Sequence, residues 1–144
     1  NINLFDRNGV RTPMQWDDSA FAGFSNTTPW LSVNENYKQI NIAKQEQDPD
    51  SVLHYFRKMI GLRKAHLALV YGRFDLVDED NPQLFAYTRM LGEESYLVVL
   101  NFSDRRAILD ADVDTERSQI LIGNYDTNHL NHSYRPYEAV IYKL

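Results

Sequence analysis

The spacing of apolar residues changes twice along the chain, and each change marks a different kind of structure. Residues 1–47 scatter their aromatics at no fixed period among Asn, Asp, Thr and Pro, which predicts long irregular loops with at most short helical turns. A stretch of that length without regular structure signals function, or the lining of a larger body. From Asp48 the spacing becomes helical, with Val52, Leu53, Phe56, Met59 and Ile60 recurring on one face. Asp48 is placed to cap the helix with Pro49 in its first turn. Arg57, Lys58, Arg63 and Lys64 fall on the outer face and toward the end, where cations complement the helix dipole. The pattern predicts a helix over 49–65 whose apolar face needs a partner.

After His66 the period shortens to two. Strands are predicted at 71–77, 84–90, 96–102, 107–109, 119–122 and 138–143. Asp80, Asn81 and Pro82 supply one turn, and Gly92 closes a hairpin. Six short strands separated by turn residues predict an antiparallel sheet folded into a small sandwich or barrel, so the chain is read as mainly β.

Composition narrows the partners. The 144 residues suffice for one sizeable core or two small ones. A formal net charge of −5 disfavours nucleic acid and an anionic membrane, both of which require a positive field, and leaves room for a neutral substrate. The longest apolar runs, such as 96–100, are far too short to cross a bilayer, so no membrane span is expected. With no cysteine, disulfides and thiolate metal sites are excluded, and a cytoplasmic location is the expectation. Asn-x-Ser/Thr triplets at Asn26, Asn101 and Asn131 are read as incidental. The chain starts at Asn1 with no initiator Met or signal-like stretch, and is expected to be a fragment.

The most specific string is Asp6-Arg7-Asn8-Gly9-Val10-Arg11-Thr12-Pro13-Met14-Gln15-Trp16-Asp17, followed by Ala22-Gly23-Phe24 and Pro29-Trp30. It resembles the segment after the last catalytic carboxylate of oligo-1,6-glucosidases, maltases and their relatives in family 13 of the glycoside hydrolases, the α-amylase superfamily. The resemblance continues through Leu62-Arg63-Lys64, Val70-Tyr71-Gly72, Val99-Leu100-Asn101-Phe102 and Arg135-Pro136-Tyr137-Glu138-Ala139, and so covers nearly the whole chain. It implies that residues 1–66 are the last βα unit of a (β/α)8 barrel, a long active-site loop and the eighth helix. Residues 67–144 would then be the antiparallel β-sandwich domain that follows. Barrel enzymes build their sites from βα loops, which accounts for a polar, aromatic-dotted loop.

The implied activity is hydrolysis of terminal α-1,6 or α-1,4 glucosidic bonds in short oligosaccharides with retention. Retaining glycosidases need a nucleophilic carboxylate and a carboxylic acid about 5 to 5.5 Å apart. In this family both come from earlier barrel strands, and none of their motifs occurs here, so no catalytic residue is assigned and the chain alone is expected to be inactive. Asp6, Asp17 and Asp18 are read as loop hydrogen-bonding groups. By resemblance, Arg11 contacts the glucose at the non-reducing end together with an aspartate from an early barrel loop. Five donors in a rigid fork can orient sugar hydroxyls and a carboxylate together; the other role open to Arg11 is tying down its own loop. Trp16, Phe21, Phe24 and Trp30 are expected to pack under the loop. His129 and His132 are read as solvated, and no metal or cofactor is predicted.

Two other assignments stay open. The Asp6–Val10 lead-in also resembles trehalose synthases, and sucrose isomerases share much of the segment, which would make the reaction glucosyl transfer. Alternatively the β domain is a carbohydrate-binding module, using an exposed platform drawn from Tyr71, Tyr87, Tyr96, Tyr125, Tyr134, Tyr137 and Tyr142, or a purely structural domain. Self-association through a surface that would face the barrel is a further expectation.

Overall fold

The computed structural model describes residues 11–115, 117–125 and 132–144. Backbone proximity divides the chain into two compact units, Asn1–Lys58 and Met59–Leu144.

The described part of the first unit is loop for most of its length. Among the described residues, two 3-10 turns, Ala20–Gly23 and Glu35–Lys38, precede α1 (Ile42–Gln47), a short helix set by its cap. The Asn41 side chain accepts from Lys44 N at 2.9 Å and donates to the Tyr37 carbonyl at 2.8 Å, so a nearly fully buried amide is satisfied at both ends. α2 (Val52–Ala65) begins three residues later than the spacing of charges and Pro49 predicted. The cause lies in the capping groups. Asp48 Oδ1 takes the Asp50 N–H in a local turn, and it is the Ser51 hydroxyl that accepts from His54 N at 3.3 Å, while Gln45 Oε1 accepts from Leu53 N at 3.0 Å. At the other end of the same junction, Arg57 grips Glu46 through both guanidinium nitrogens, at 2.7 and 2.5 Å. No residue of α2 is buried, and Val52 and Phe56 are 79% and 60% exposed.

In the second unit a four-residue helix, α3 (Ala68–Tyr71), occupies the place where the first strand was expected to begin. Among the described residues seven strands follow: β1 (Arg73–Val77), β2 (Leu84–Leu91), β3 (Glu94–Asn101), β4 (Ala107–Ile108), β5 (Gln119–Gly123), β6 (Ser133–Tyr134) and β7 (Ala139–Lys143). The main sheet has the order β1-β2-β3-β7-β5, antiparallel throughout, and β4 pairs with β6 as a separate two-stranded ribbon. β2 and β3 are joined by a two-residue turn whose first residue, Gly92, takes φ +59, a conformation that costs glycine nothing.

Alternation decides which side chains form the core. Ala86, Val99 and Val140 lie opposite one another across three strands, as do Leu97, Tyr142 and Ile120. With Leu84 they make one apolar face, and Ala107, Leu109 and Tyr134 from the ribbon and its flank complete the cluster. The two layers thus enclose the core in the sandwich manner. On the opposite face, Phe74, Tyr87 and Phe85 stack in a row with centroids 4.9 and 5.4 Å apart. One end of that face is covered by α3: Arg89 donates to the Ala68 and Val70 carbonyls, and the Tyr96 hydroxyl meets His66 Nδ1 at 2.9 Å.

At the far end of the strands, Asn101 and Glu138 satisfy a corner. Asn101 is buried and its amide bonds to the Arg105 and Arg135 carbonyls at 2.7 and 2.8 Å. An amide so occupied is no glycosylation acceptor in the folded protein. Glu138, also buried, accepts from the Arg135 backbone N–H and from its guanidinium, at 2.6 and 2.7 Å.

Candidate functional site

The segment from Arg11 to Gln15 has no regular secondary structure, and its position is set by what it is tied to. The carbonyls of Gln15 and Trp16 accept from the Ile42 and Ala43 N–H groups, both at 2.9 Å, so the segment rests on the open donors at the start of α1. The Gln15 side chain adds to this. Its Nε2 donates to Asn36 Oδ1 at 3.1 Å and to the Ile40 carbonyl. Pro13, two residues away, is buried and holds φ near its ring-imposed value, which also restricts Thr12.

Beyond Trp16 the chain doubles back in an unusual turn. Phe21, Ala22 and Gly23 have φ of 55, 57 and 65°, three successive left-handed residues of which only the last is a glycine. Each of the two L-residues costs about 1–2 kcal/mol in that region, and the surroundings must offset it. Four hydrogen bonds do so. The Ala22 carbonyl accepts from both Trp16 N and Asp17 N, at 2.9 and 3.3 Å, and Ala22 itself is fully buried. Asp17 Oδ1 accepts from the Ser19 hydroxyl at 2.5 Å and from its N–H at 2.9 Å. The Ser19 hydroxyl, followed by its backbone N–H, holds the Asp17 carboxyl below the usual carboxylate range. A Cβ on Gly23 would lie 2.6 Å from Asp17 Oδ2, so the carboxylate occupies the space that the glycine leaves.

Two hollows of about 240 Å³ each flank the tied segment. One is lined by Arg11, Thr12, Pro13 and Met14 with Phe24, Pro29, Trp30 and Leu31. The other, behind the segment, is lined by Gln15, Ile40, Asn41, Ile42 and Gln45 together with Thr12, Pro13 and Met14. Arg11 is exposed at the first. Thus a guanidinium, two large aromatics and a thioether converge on one concavity, the mixture of donors and apolar faces that a sugar ring requires.

The sequence-derived candidates divide as follows. Asp17 is a loop-closing group, as read, and Asp18 is exposed. Asp6 and His129 lie outside the described residues. His132 Nε2 donates to the Val113 carbonyl at 2.8 Å and so is engaged, contrary to its reading as solvated. The aromatic expectation needs correction. Trp30 is 86% exposed and Trp16 and Phe24 are each 49% exposed. Small Ala22 and backbone hydrogen bonds fill the inside of the turn, and no apolar layer is left there for the large rings. Of the tyrosines considered as a platform, Tyr96, Tyr134 and Tyr142 are core residues, whereas Tyr71 and Tyr137 are exposed. Reasoning from sequence missed the roles of Gln15, which lies within the most specific string but was given no role there, and of Asn36, which lies outside it. The Asp17–Ser19 spacing, a familiar local turn, was the available sign of the folded-back loop.

The comparisons with known proteins agree along the chain. The profile of the alpha amylase catalytic domain matches residues 3–72, and that of the maltogenic amylase C-terminal domain matches residues 74–140. The chain is 45% identical to the oligo-1,6-glucosidase of Parageobacillus thermoglucosidasius over 96% of its own length and 26% of the relative's. Among solved structures, it superposes on the trehalose-6-phosphate hydrolase of Bacillus licheniformis with a TM-score of 0.86 and 34% identity, covering 96% of this chain and 26% of that one. It also superposes on an isomaltulose synthase variant of Erwinia rhapontici NX5 in complex with D-glucose, with a TM-score of 0.84, 40% identity and coverage of 95% and 25%. The chain therefore spans about a quarter of the length of the relatives it matches.

Proposed function

The chain belongs to the α-amylase superfamily of glycoside hydrolases, and on that premise we propose that it is the C-terminal part of a retaining α-glucosidase that cleaves terminal α-1,6 or α-1,4 bonds of short, neutral oligosaccharides. Residues 1–66 form the last part of the catalytic barrel in this reading, and residues 67–144 the following β-sandwich domain. The cytoplasm is the location this reading assigns, in keeping with the absence of cysteine from these 144 residues, and no described helix is long and apolar enough to cross a membrane.

The observation that carries the proposal is the hollow beside Arg11. A glucose at its mouth meets a charged fork able to bind adjacent hydroxyls, next to the exposed faces of Trp30 and Phe24. The nucleophile and the acid come from other strands of the barrel, so the task of this chain is to hold the terminal sugar in line with them. A grip on the last residue of the substrate favours release of single glucose units.

Kinetics of Arg11 variants in the full-length protein test this. Arg11→Ala is expected to lower kcat/KM for p-nitrophenyl α-glucoside by roughly two orders of magnitude or more, each tenfold being about 1.4 kcal/mol of lost stabilisation. Arg11→Lys is expected to recover little of it, since an ammonium cannot span two partners in a fixed geometry. Near wild-type kcat/KM in both variants, at unchanged melting temperature, would mean that Arg11 is only a loop anchor.

A further inference from the structure

We propose that Gln15 is a positioning residue for Arg11, and that it acts through the short, stiff segment between them. The inference rests on the reading of Arg11 as the residue that holds the terminal glucose. Gln15 is fixed from both of its ends. Its carbonyl takes the Ile42 N–H, and its amide nitrogen bridges Asn36 Oδ1 and the Ile40 carbonyl. Asn36 is in turn held in place, since its carbonyl accepts from Gln39 N and Ile40 N at 2.9 Å and its N–H reaches Asn34 Oδ1. The result is a closed set of hydrogen bonds between the residue-36 turn, the start of α1 and one side chain.

Gln15 lines the hollow behind the segment and is absent from the lining of the hollow that Arg11 shares with Phe24 and Trp30. Its side chain is therefore placed to act on Arg11 through the backbone between them. What lies between it and Arg11 is Thr12, Pro13 and Met14, with Pro13 buried and its φ fixed by the ring. Proline also restrains the residue before it, so a displacement at Gln15 passes along to Arg11 with little taken up on the way. A positional error near 1 Å in a group that holds substrate can cost on the order of a hundredfold in rate.

The test is a double-mutant cycle in the full-length protein, with p-nitrophenyl α-glucoside as substrate and melting temperature measured beside the kinetics. Gln15→Glu keeps the size of the side chain but turns the donor toward Ile40 into an acceptor. Alone it is expected to lower kcat/KM by about 10- to 100-fold, mainly through KM, at little cost in melting temperature. In an Arg11→Ala background the same change is expected to cost less than about threefold, because the group it positions is gone. Gln15→Asn, which keeps the amide on a shorter arm, should fall between wild type and Gln15→Glu. If Gln15→Glu fails to fold, Gln15→Met takes its place in the cycle with the same expectation. An equal loss in both backgrounds, or a wild-type kcat/KM for the Gln15 variant, overturns the proposal. A large effect of Arg11→Ala with no effect at Gln15 would sink this inference alone, whereas an indifferent Arg11→Ala removes the reading of the site and with it the role of Gln15.

Discussion

Gly72 shows how a single residue can carry a packing constraint that no side chain displays. Its φ is ordinary, yet a Cβ there would stand 2.4 Å from the Ala68 carbonyl oxygen and 2.9 Å from that of Met90. Both neighbours are backbone, one in α3 and one in β2, and neither can rotate aside. Gly72→Ala is therefore expected to destabilise the chain by about 2–3 kcal/mol, as overpacking does, and to lower the melting temperature by roughly 8 °C or more. A thermal melt within a degree or two of wild type would show that α3 and β2 are not in such close approach. At this scale the sequence was informative where a residue type has a dedicated chemistry. Arg11 stood out because its fork and its motif agreed, and Asp17 because its spacing to Ser19 is that of a local turn. Gln15 lay in the same string, yet nothing there assigned it a role. An amide serves anywhere, and its partners at Asn36 and Ile40 come together only through the turn between them.

Elements long enough to show a period were legible, and the short ones were not. The helix at 52–65 and the strands at 84–91 and 94–101 lie close to where the spacing placed them. β6 has two residues and no period to read; its pairing with β4 comes from the corner that Asn101 and Glu138 build. The strand expected from Tyr71 begins only at Arg73, because Tyr71 closes α3, where Arg89 draws the Ala68 and Val70 carbonyls inward and tertiary contacts win. The buried tyrosines of β6 and β7 lead to a pH prediction. Burial, foremost, and the hydrogen bond to Tyr134 push the Tyr142 phenol well above its ordinary range, and burial, with Glu138 nearby, raises Tyr134 as well. A raised folded-state value means stability that is fully present below the unfolded phenol value of about 10 and is lost as pH climbs past it. Tyr142→Phe should flatten the fall of unfolding free energy between about pH 10 and 12, whatever its effect at neutral pH. An unchanged slope in denaturant titrations across that range would rule out Tyr142 as a source of the alkaline sensitivity.

For the molecule as a whole, the chain spans about a quarter of its relatives' length, and on the reading proposed above the exposed stripe of α2 and the exposed rings around Arg11 face the rest of the barrel. We propose that the 144-residue chain, prepared alone, hides that apolar surface by self-association. Sedimentation velocity should show a concentration-dependent mass above the monomer, reduced by Phe56→Glu; a strict monomer at all concentrations sets the idea aside. The central claim concerns chemistry, and the stereochemical outcome tests it most directly. A covalent glycosyl intermediate and a second displacement leave the anomeric configuration unchanged. Followed by proton NMR before mutarotation, the full-length protein acting on isomaltose should release α-glucose first, and the isolated 144-residue chain should release none. First release of β-glucose by the full-length protein, or turnover by the isolated chain, would contradict the account.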